Sequence, residues 1–283
     1  MLKIGFISYL NAYPFYYPFQ FKKDEELQGL QLLVKRPGEL NAMLRNGELD
    51  ISLISFMEYA QNPELYELVQ GIGLSSKGYV DSVKLFSKVP ISELNGHNIH
   101  TTSASATSVA VMEILLRENN VTDYNSAPYD VCGGIPDRTA ALAIGDEALT
   151  EDTHKFKYVY DLGEMWNKLF NRNIVFAVAA IRKDSIEEKR PFINSFIHEL
   201  KEAPSLSFNN PKAFEQACKN QYPSIKAPMA YLHRLHFSMS KSEEEDISFF
   251  LSKAHQHNLL TKPVKPEFFI PPLELAGNGE VNA

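Results

Sequence analysis

The sequence predicts an α/β protein built as a two-lobed clamshell, with mixed, mostly parallel sheets flanked by helices. Three observations lead there. Short apolar runs of strand length alternate with segments of helical periodicity over much of the chain. The β-α-β rhythm occurs twice, restarting after Ile91. Two strongly apolar runs, Val83–Lys88 and Phe176–Arg182, flank the second occurrence. The chain is therefore expected to leave its first lobe near 87 and return near 175. That gives a discontinuous lobe of residues 1–86 plus 175–283, a second lobe of residues 87–174, and a ligand cleft between them.

The elements follow in order. Lys3–Ile7 reads as a buried strand that stops in the polar cluster Ser8, Tyr9 and Asn11, and then in Pro14. Leu30–Lys35 is a second strand. Pro37-Gly38 is a break before a helix over Glu39–Asn46, with Leu40, Met43 and Leu44 on one stripe and Gly47 as its stop. "LDISLIS" is a third strand and Phe56–Ala60 opens a helix; Val69–Ser75 and Ser82–Lys88 are strands. A strand near Asn98–Thr101 precedes a hydroxyl-rich turn and a helix through Val109, Met112, Ile114, Leu115 and Leu116. Ala140–Ile144 is a strand ending at Gly145-Asp146, "KYVYDLGEMWNKLFN" a strand edge and a helix, and Ile174–Asp184 a long strand. Helices are expected over Arg190–Glu202, Pro211–Asn220, Pro228–Leu235 and Ser242–Asn258. The proline-rich tail from Lys262 should be extended, with its last residues disordered.

Composition narrows the function classes. The chain is 44% hydrophobic and 22% charged with a net charge of −7, an ordinary globular balance. An acidic chain lacks the basic face of a nucleic-acid binder, although a local anion site stays possible. No apolar stretch approaches ~18 residues, so no membrane partner is expected. Cys132 and Cys218 lie far apart, which favours a reducing compartment over a disulfide framework. The opening residues show no export-signal pattern, so the cytoplasm is the expected location. Monomer and homodimer both stay open.

Several motifs are missing: GxxxxGK[ST], GxGxxG after a strand, and Gly-x-Ser-x-Gly. The pairs His97/His100, His233/His236 and His255/His257 have no acidic or cysteine companion at ligand spacing, so neither metal nor cofactor is expected.

The candidate chemistry sits at strand ends. In "TTSASATSVAV", five of the seven residues from Thr102 to Ser108 carry hydroxyls, and a helix starts directly after. A helix N-terminus exposes unpaired N–H groups and about half a positive charge, so Ser103, Ser105, Thr107 and Ser108 could cradle a carboxylate or phosphate. One hydroxyl acting as a plain N-cap is the competing reading. Ser8, Tyr9 and Asn11 lie at the carboxyl end of a strand, where ligands of parallel sheets bind, although Asn and Pro also make ordinary turns. Ser55 ends another strand, Ser82 stands where the chain enters the crossover strand, and Asp146 is either a helix cap or a cleft acid. These positions supply donors but no histidine base and no carboxylate pair.

"ISYLNAYP", "LDISLISFMEYA", "VDSVKLFSK", "TSVAVMEILLRE", "AIGDEAL", "YDLGEMWNKLF" and "VFAVAAIRKD" fall in the order seen in chorismate dehydratases of the futalosine route to menaquinone. The resemblance runs from about residue 3 to about 260. It implies a fold like the type II periplasmic solute-binding proteins and a cofactor-free cytoplasmic lyase that converts chorismate to 3-[(1-carboxyvinyl)oxy]benzoate. It implies catalytic roles for Asn11 and Ser82, with Ser8, Tyr9, Ser55, Ser103, Ser105, Ala106, Thr107, Ser108 and Asp146 binding substrate. Ala106 departs from the family, in which an arginine is frequent at that position, and Thr102 stands where an aspartate is frequent. Lys84, Arg138 or another cation would have to replace the lost guanidinium, or backbone and hydroxyl donors suffice. The resemblance also implies that the substrate's enolpyruvyl carboxylate acts as the base. The alternative reading is a small-anion binding module without catalysis.

Overall fold

The computed structural model describes residues 1–129 and 138–271. Cys132 and the last residues of the tail lie outside the described residues.

The first pass of the chain builds β1 (Leu2–Ile7), α1 (Tyr13–Tyr16), β2 (Leu30–Lys35), α2 (Pro37–Arg45), β3 (Ile51–Ser55), α3 (Phe56–Gln61) and β4 (Tyr66–Ser76). It then crosses to β5 (Val83–Ser87), β6 (His97–Thr102), α4 (Ala106–Glu118), β7 (Tyr124–Tyr129), β8 (Ala140–Ile144), α5 (Gly145–Thr150), β9 (Tyr158–Asp161) and α6 (Leu162–Phe170). It returns through β10 (Ile174–Arg182), α7 (Lys183–Phe208), α8 (Pro211–Gln221), α9 (Pro228–Leu232), β11 (Leu235–Ser238), α10 (Lys241–Gln256) and β12 (Phe268–Phe269).

Two sheets result. One runs β11-β4-β10-β3-β1-β2, with β12 on β4; the other runs β7-β6-β8-β5-β9. Sheet membership puts Val83–Ser87 in the second sheet, so the first crossing lies before Val83, upstream of the expected division at 86/87.

The sheets are mixed. β1 pairs parallel with β2 and β3, and β6 pairs parallel with β7 and β8. The strands next to each crossing run the other way: β10 is antiparallel to β3 and β4, and β5 to β8 and β9. β10 is buried along nearly its whole length, as its unbroken apolar run requires of a central strand.

The differences from the sequence reading have physical causes. Pro37-Gly38 opens α2 rather than preceding it, because proline at the first turn forfeits no helical hydrogen bond. α7 is 26 residues long and runs through Pro191 and Pro204. Its buried face of Ile186, Ile193, Phe196, Ile197 and Leu200 holds it helical despite both prolines. β11 takes Leu235 out of the expected helix because β4 offers it an antiparallel edge. β7 (YNSAPY) lacks an apolar run and exists only through its parallel pairing with β6. One buried apolar cluster reaches from Phe6 and Phe196 in the first half to Ile99, Val111 and Trp166 in the second. The two halves are therefore in close apposition.

Candidate functional site

Both halves send polar groups to one slot between them. From the first come Tyr9 and Asn11 beyond β1, Pro37 at the start of α2, and Ser55 at the end of β3. From the second come Ser82 and Val83 at the start of β5, Ser105 and Ser108 at the start of α4, and Ile144-Gly145 after β8. Tyr231 of α9 closes one side, and Ile7, Leu74, Val80, Phe176 and Leu235 supply apolar wall. The slot is narrow, with a cavity volume of ≈ 40 Å³.

The polar lining divides into groups held in place and groups left unsatisfied. Ser105 is the N-cap of α4: its hydroxyl accepts from Ser108 N–H at 3.2 Å and lies 3.0 Å from Ser108 Oγ. Ser55 caps α3 by accepting from Glu58 N–H at 3.4 Å, and Asn41 brackets it with bonds of 3.3 and 3.2 Å. Tyr231 Oη donates to Ser82 Oγ at 2.7 Å. Tyr9 Oη and Asn11 Oδ1 are buried without a hydrogen-bond partner among the described residues. Such an arrangement costs an empty protein about 1–3 kcal/mol per group, which a ligand can return.

Gly145 explains how closely the halves approach. Its φ is +58°, and a Cβ there would stand 2.7 Å from the Tyr9 ring. Only glycine satisfies both the left-handed backbone and this contact.

The hydroxyl-rich segment before α4 is only partly a cradle. Helical spacing puts Ser105 and Ser108 on the cavity side, three residues apart. Ser103 and Ala106, with Thr102, line a separate groove with Met57, Gln61 and Glu113. Thr107 is buried and accepts from Met57 N–H at 2.9 Å, tying α4 to α3. Ser8 does not line the cavity; its carbonyl accepts from Tyr222 Oη at 3.2 Å. Asp146 lies behind the lining and is neither a helix cap nor in the cavity wall. It accepts from Leu10 N–H at 3.0 Å, joining α5 to the turn that carries Tyr9 and Asn11.

The expected replacement cations do not line the cavity. Lys84 pairs with Asp81 at 2.6 Å and Arg138 is exposed. The cation that influences the site is Arg36, the N-cap of α2, whose charge opposes the upward shifts of Tyr9 and Glu147. The sequence reading missed it, although it sits at the carboxyl end of β2, where the rule applied to Ser8 and Ser55 would have found it. It also missed Tyr231, which comes from a segment with no strand-end signal.

Electrostatically the site is kept neutral. Burial, with Glu147 nearby, pushes the Tyr9 hydroxyl well above the usual phenol range, and burial does the same to Tyr231, so both remain donors. Burial pushes the Asp146 carboxyl up to about 7; the Leu10 N–H opposes this and Glu147 adds to it. Glu147 is also raised, mainly by burial. Among the described lining residues none is His, Asp or Glu. Neutral donors around a helix start suit an anion.

The sequence profile for menaquinone biosynthesis matches residues 2–256 of the chain. A chorismate dehydratase of Thermus thermophilus is 27% identical over 198 residues, 64% of this chain and 70% of that protein. Among solved structures, an Archaeoglobus fulgidus protein matches with a TM-score of 0.69 at 17% identity, over 92% of this chain and 98% of its own. The periplasmic aliphatic sulphonate-binding protein SsuA of Escherichia coli matches with a TM-score of 0.65 at 14% identity, over 99% and 97%. A Candida albicans protein with the generic periplasmic binding protein fold matches at 0.62 and 11%, over 93% and 91%. The fold is that of the periplasmic binding proteins.

Proposed function

The chain belongs to the menaquinone biosynthesis family, and from that premise we propose that it is a chorismate dehydratase, a hydro-lyase forming 3-[(1-carboxyvinyl)oxy]benzoate in the cytoplasm. The observation that carries this reading is the cavity itself. Unpartnered Tyr9 Oη and Asn11 Oδ1 share it with the hydroxyl-lined N-terminus of α4.

Chorismate carries two carboxylates. Water is lost from the ring: the hydrogen leaves the ether-bearing carbon and the hydroxyl leaves its neighbour. The departing proton is acidified because the electron pair it leaves behind can spread to the ring carboxylate. Donors held against that carboxylate stabilise the developing charge, and the start of α4, through Ser105 and Ser108, is suited to the task. The substrate's enolpyruvyl carboxylate takes the proton. The freed electron pair becomes part of the aromatic ring as the carbon–oxygen bond breaks, and the proton and hydroxide together leave as water. This division of labour requires no protein base, in keeping with a lining of neutral groups. Asn11 and Ser82 orient the leaving hydroxyl and a carboxylate, and such positioning lowers a barrier by ~7–11 kcal/mol in favourable intramolecular cases.

The narrowness of the slot implies that substrate enters when the two halves part. Purified protein mixed with chorismate should give a new aromatic product, followed by chromatography. Tight binding without product would favour an anion-binding module; neither binding nor product would leave only the fold in common.

A further inference from the structure

Ser82 is one of the two positions given a role at the leaving hydroxyl, and its backbone is held from several sides. Val80 N–H and Asp81 N–H both donate to Asp161, at 3.1 and 2.6 Å. Asp81 has a φ of +69° and forms ion pairs with Lys84 and Arg234, each at 2.6 Å. Arg234 lies just beyond α9 and stacks over the Tyr79 ring at 5.3 Å. The turn before β5 is thereby fixed to the segment that carries Tyr231.

A fixed backbone does not fix a hydroxyl. A serine has one proton and two lone pairs, and its proton rotates to the best acceptor. Tyr231 Oη donates to Ser82 Oγ at 2.7 Å, and each residue is 2% exposed. With one lone pair so occupied, the Ser82 proton is turned away from Tyr231. Both side chains line the cavity, so the cavity is where an acceptor for that proton would lie. Tyr231 is also close enough to Asn11 for that amide to influence its hydroxyl. One phenol thus bonds Ser82 and lies near Asn11, the pair that orients the leaving hydroxyl and a carboxylate.

We propose that Tyr231 is a positioning residue: its hydroxyl, bonded to Ser82 Oγ, aims the Ser82 proton into the cavity toward the departing oxygen of the substrate. This rests on the chorismate reading given above. Tyr231 touches no reacting atom and acts through Ser82.

The test is the set Tyr231→Phe, Ser82→Ala and the double variant, assayed for chorismate dehydration, together with a neutron structure of the unaltered protein, which shows where the Ser82 proton points. Removing one neutral hydrogen bond predicts a fall in kcat of about 3- to 10-fold with KM unchanged. In the Ser82→Ala background the same change should have no further effect, because the group it acts through is gone. A merely structural role would instead lower kcat by the same factor in both backgrounds, and that result overturns the proposal. So does a Tyr231→Phe enzyme as fast as the unaltered one, or a neutron structure in which the Ser82 proton points at Tyr231. If the unaltered protein makes no aromatic product, the chorismate reading fails. The neutron structure then still decides whether Tyr231 turns the Ser82 proton into the cavity.

Discussion

Asp146→Asn isolates the electrostatic cost of holding the two halves together. The Asp146 carboxyl is surrounded by protein, although an edge of the residue reaches solvent, and it accepts a hydrogen bond from Leu10 N–H at 3.0 Å. Burial raises it from its ordinary 3.8 to about 7. Between those two values the folded chain holds a proton that the unfolded chain has released. The contribution of this group to stability is therefore complete below about pH 4 and is lost as the pH rises through 7. A rise of that size corresponds to a ceiling of roughly 4 kcal/mol, at 1.36 kcal/mol for each tenfold change in proton affinity. Partial solvent contact lowers this, and an amide oxygen accepts from Leu10 about 0.5–1 kcal/mol less well than a carboxylate. We expect Asp146→Asn to be more stable than the unaltered chain by ~1–2 kcal/mol at pH 8 and equal to it at pH 4.5. Denaturant unfolding of both proteins at the two pH values measures this. Glu147, Glu113, Asp161 and Asp246 are raised by burial too, so the difference between variant and parent is the quantity to read. A variant less stable than its parent at pH 8 would refute the reasoning, because it would mean that Asp146 is ionised and favourable where it stands.

Three further substitutions probe the cavity. Asn11→Ala should fold normally and lose ~10²–10³ in turnover of chorismate, the usual cost of a well-placed donor; unaltered turnover would remove Asn11 from the site. Tyr9→Phe deletes a buried hydroxyl that has no hydrogen-bond partner among the described residues and lies near Glu147, so the empty protein should gain up to ~1 kcal/mol in thermal unfolding while its KM for chorismate rises. Gly145→Ala forces a Cβ to within 2.7 Å of the Tyr9 ring in a left-handed backbone. It should cost ~1–3 kcal/mol and lower kcat/KM, and an active, equally stable variant would show that the halves need not approach so closely.

The strand ends at Asn11 and Ser55 were legible because a parallel sheet puts ligands at the carboxyl ends of its strands, and a polar residue closing an apolar run marks such an end. Ser82 was legible differently, as the polar residue where the chain enters β5. Ser105 and Ser108 were legible because hydroxyls cluster where a helix begins. The sorting of that cluster was not. Whether Thr107 faces the cavity or Met57 depends on how α4 is rotated against α3, and only packing decides that. Arg36 obeys the same strand-end rule, but the Pro37-Gly38 directly after it gives it the local pattern of a turn residue.

Local pattern by itself determined the alternation of strands and helices and the polar strand ends, since these follow from the periodicity of apolar residues and the stereochemistry of turns. The tertiary structure alone decided which hydroxyls meet. Tyr231 lies 149 positions from Ser82 in sequence, and a contact at 2.7 Å across that distance exists only because α9 packs against the turn before β5. The same holds for Asp146: its neighbour Glu147 adds to its proton affinity, but the larger cause is burial, which comes with the packing that also brings Leu10 N–H to it.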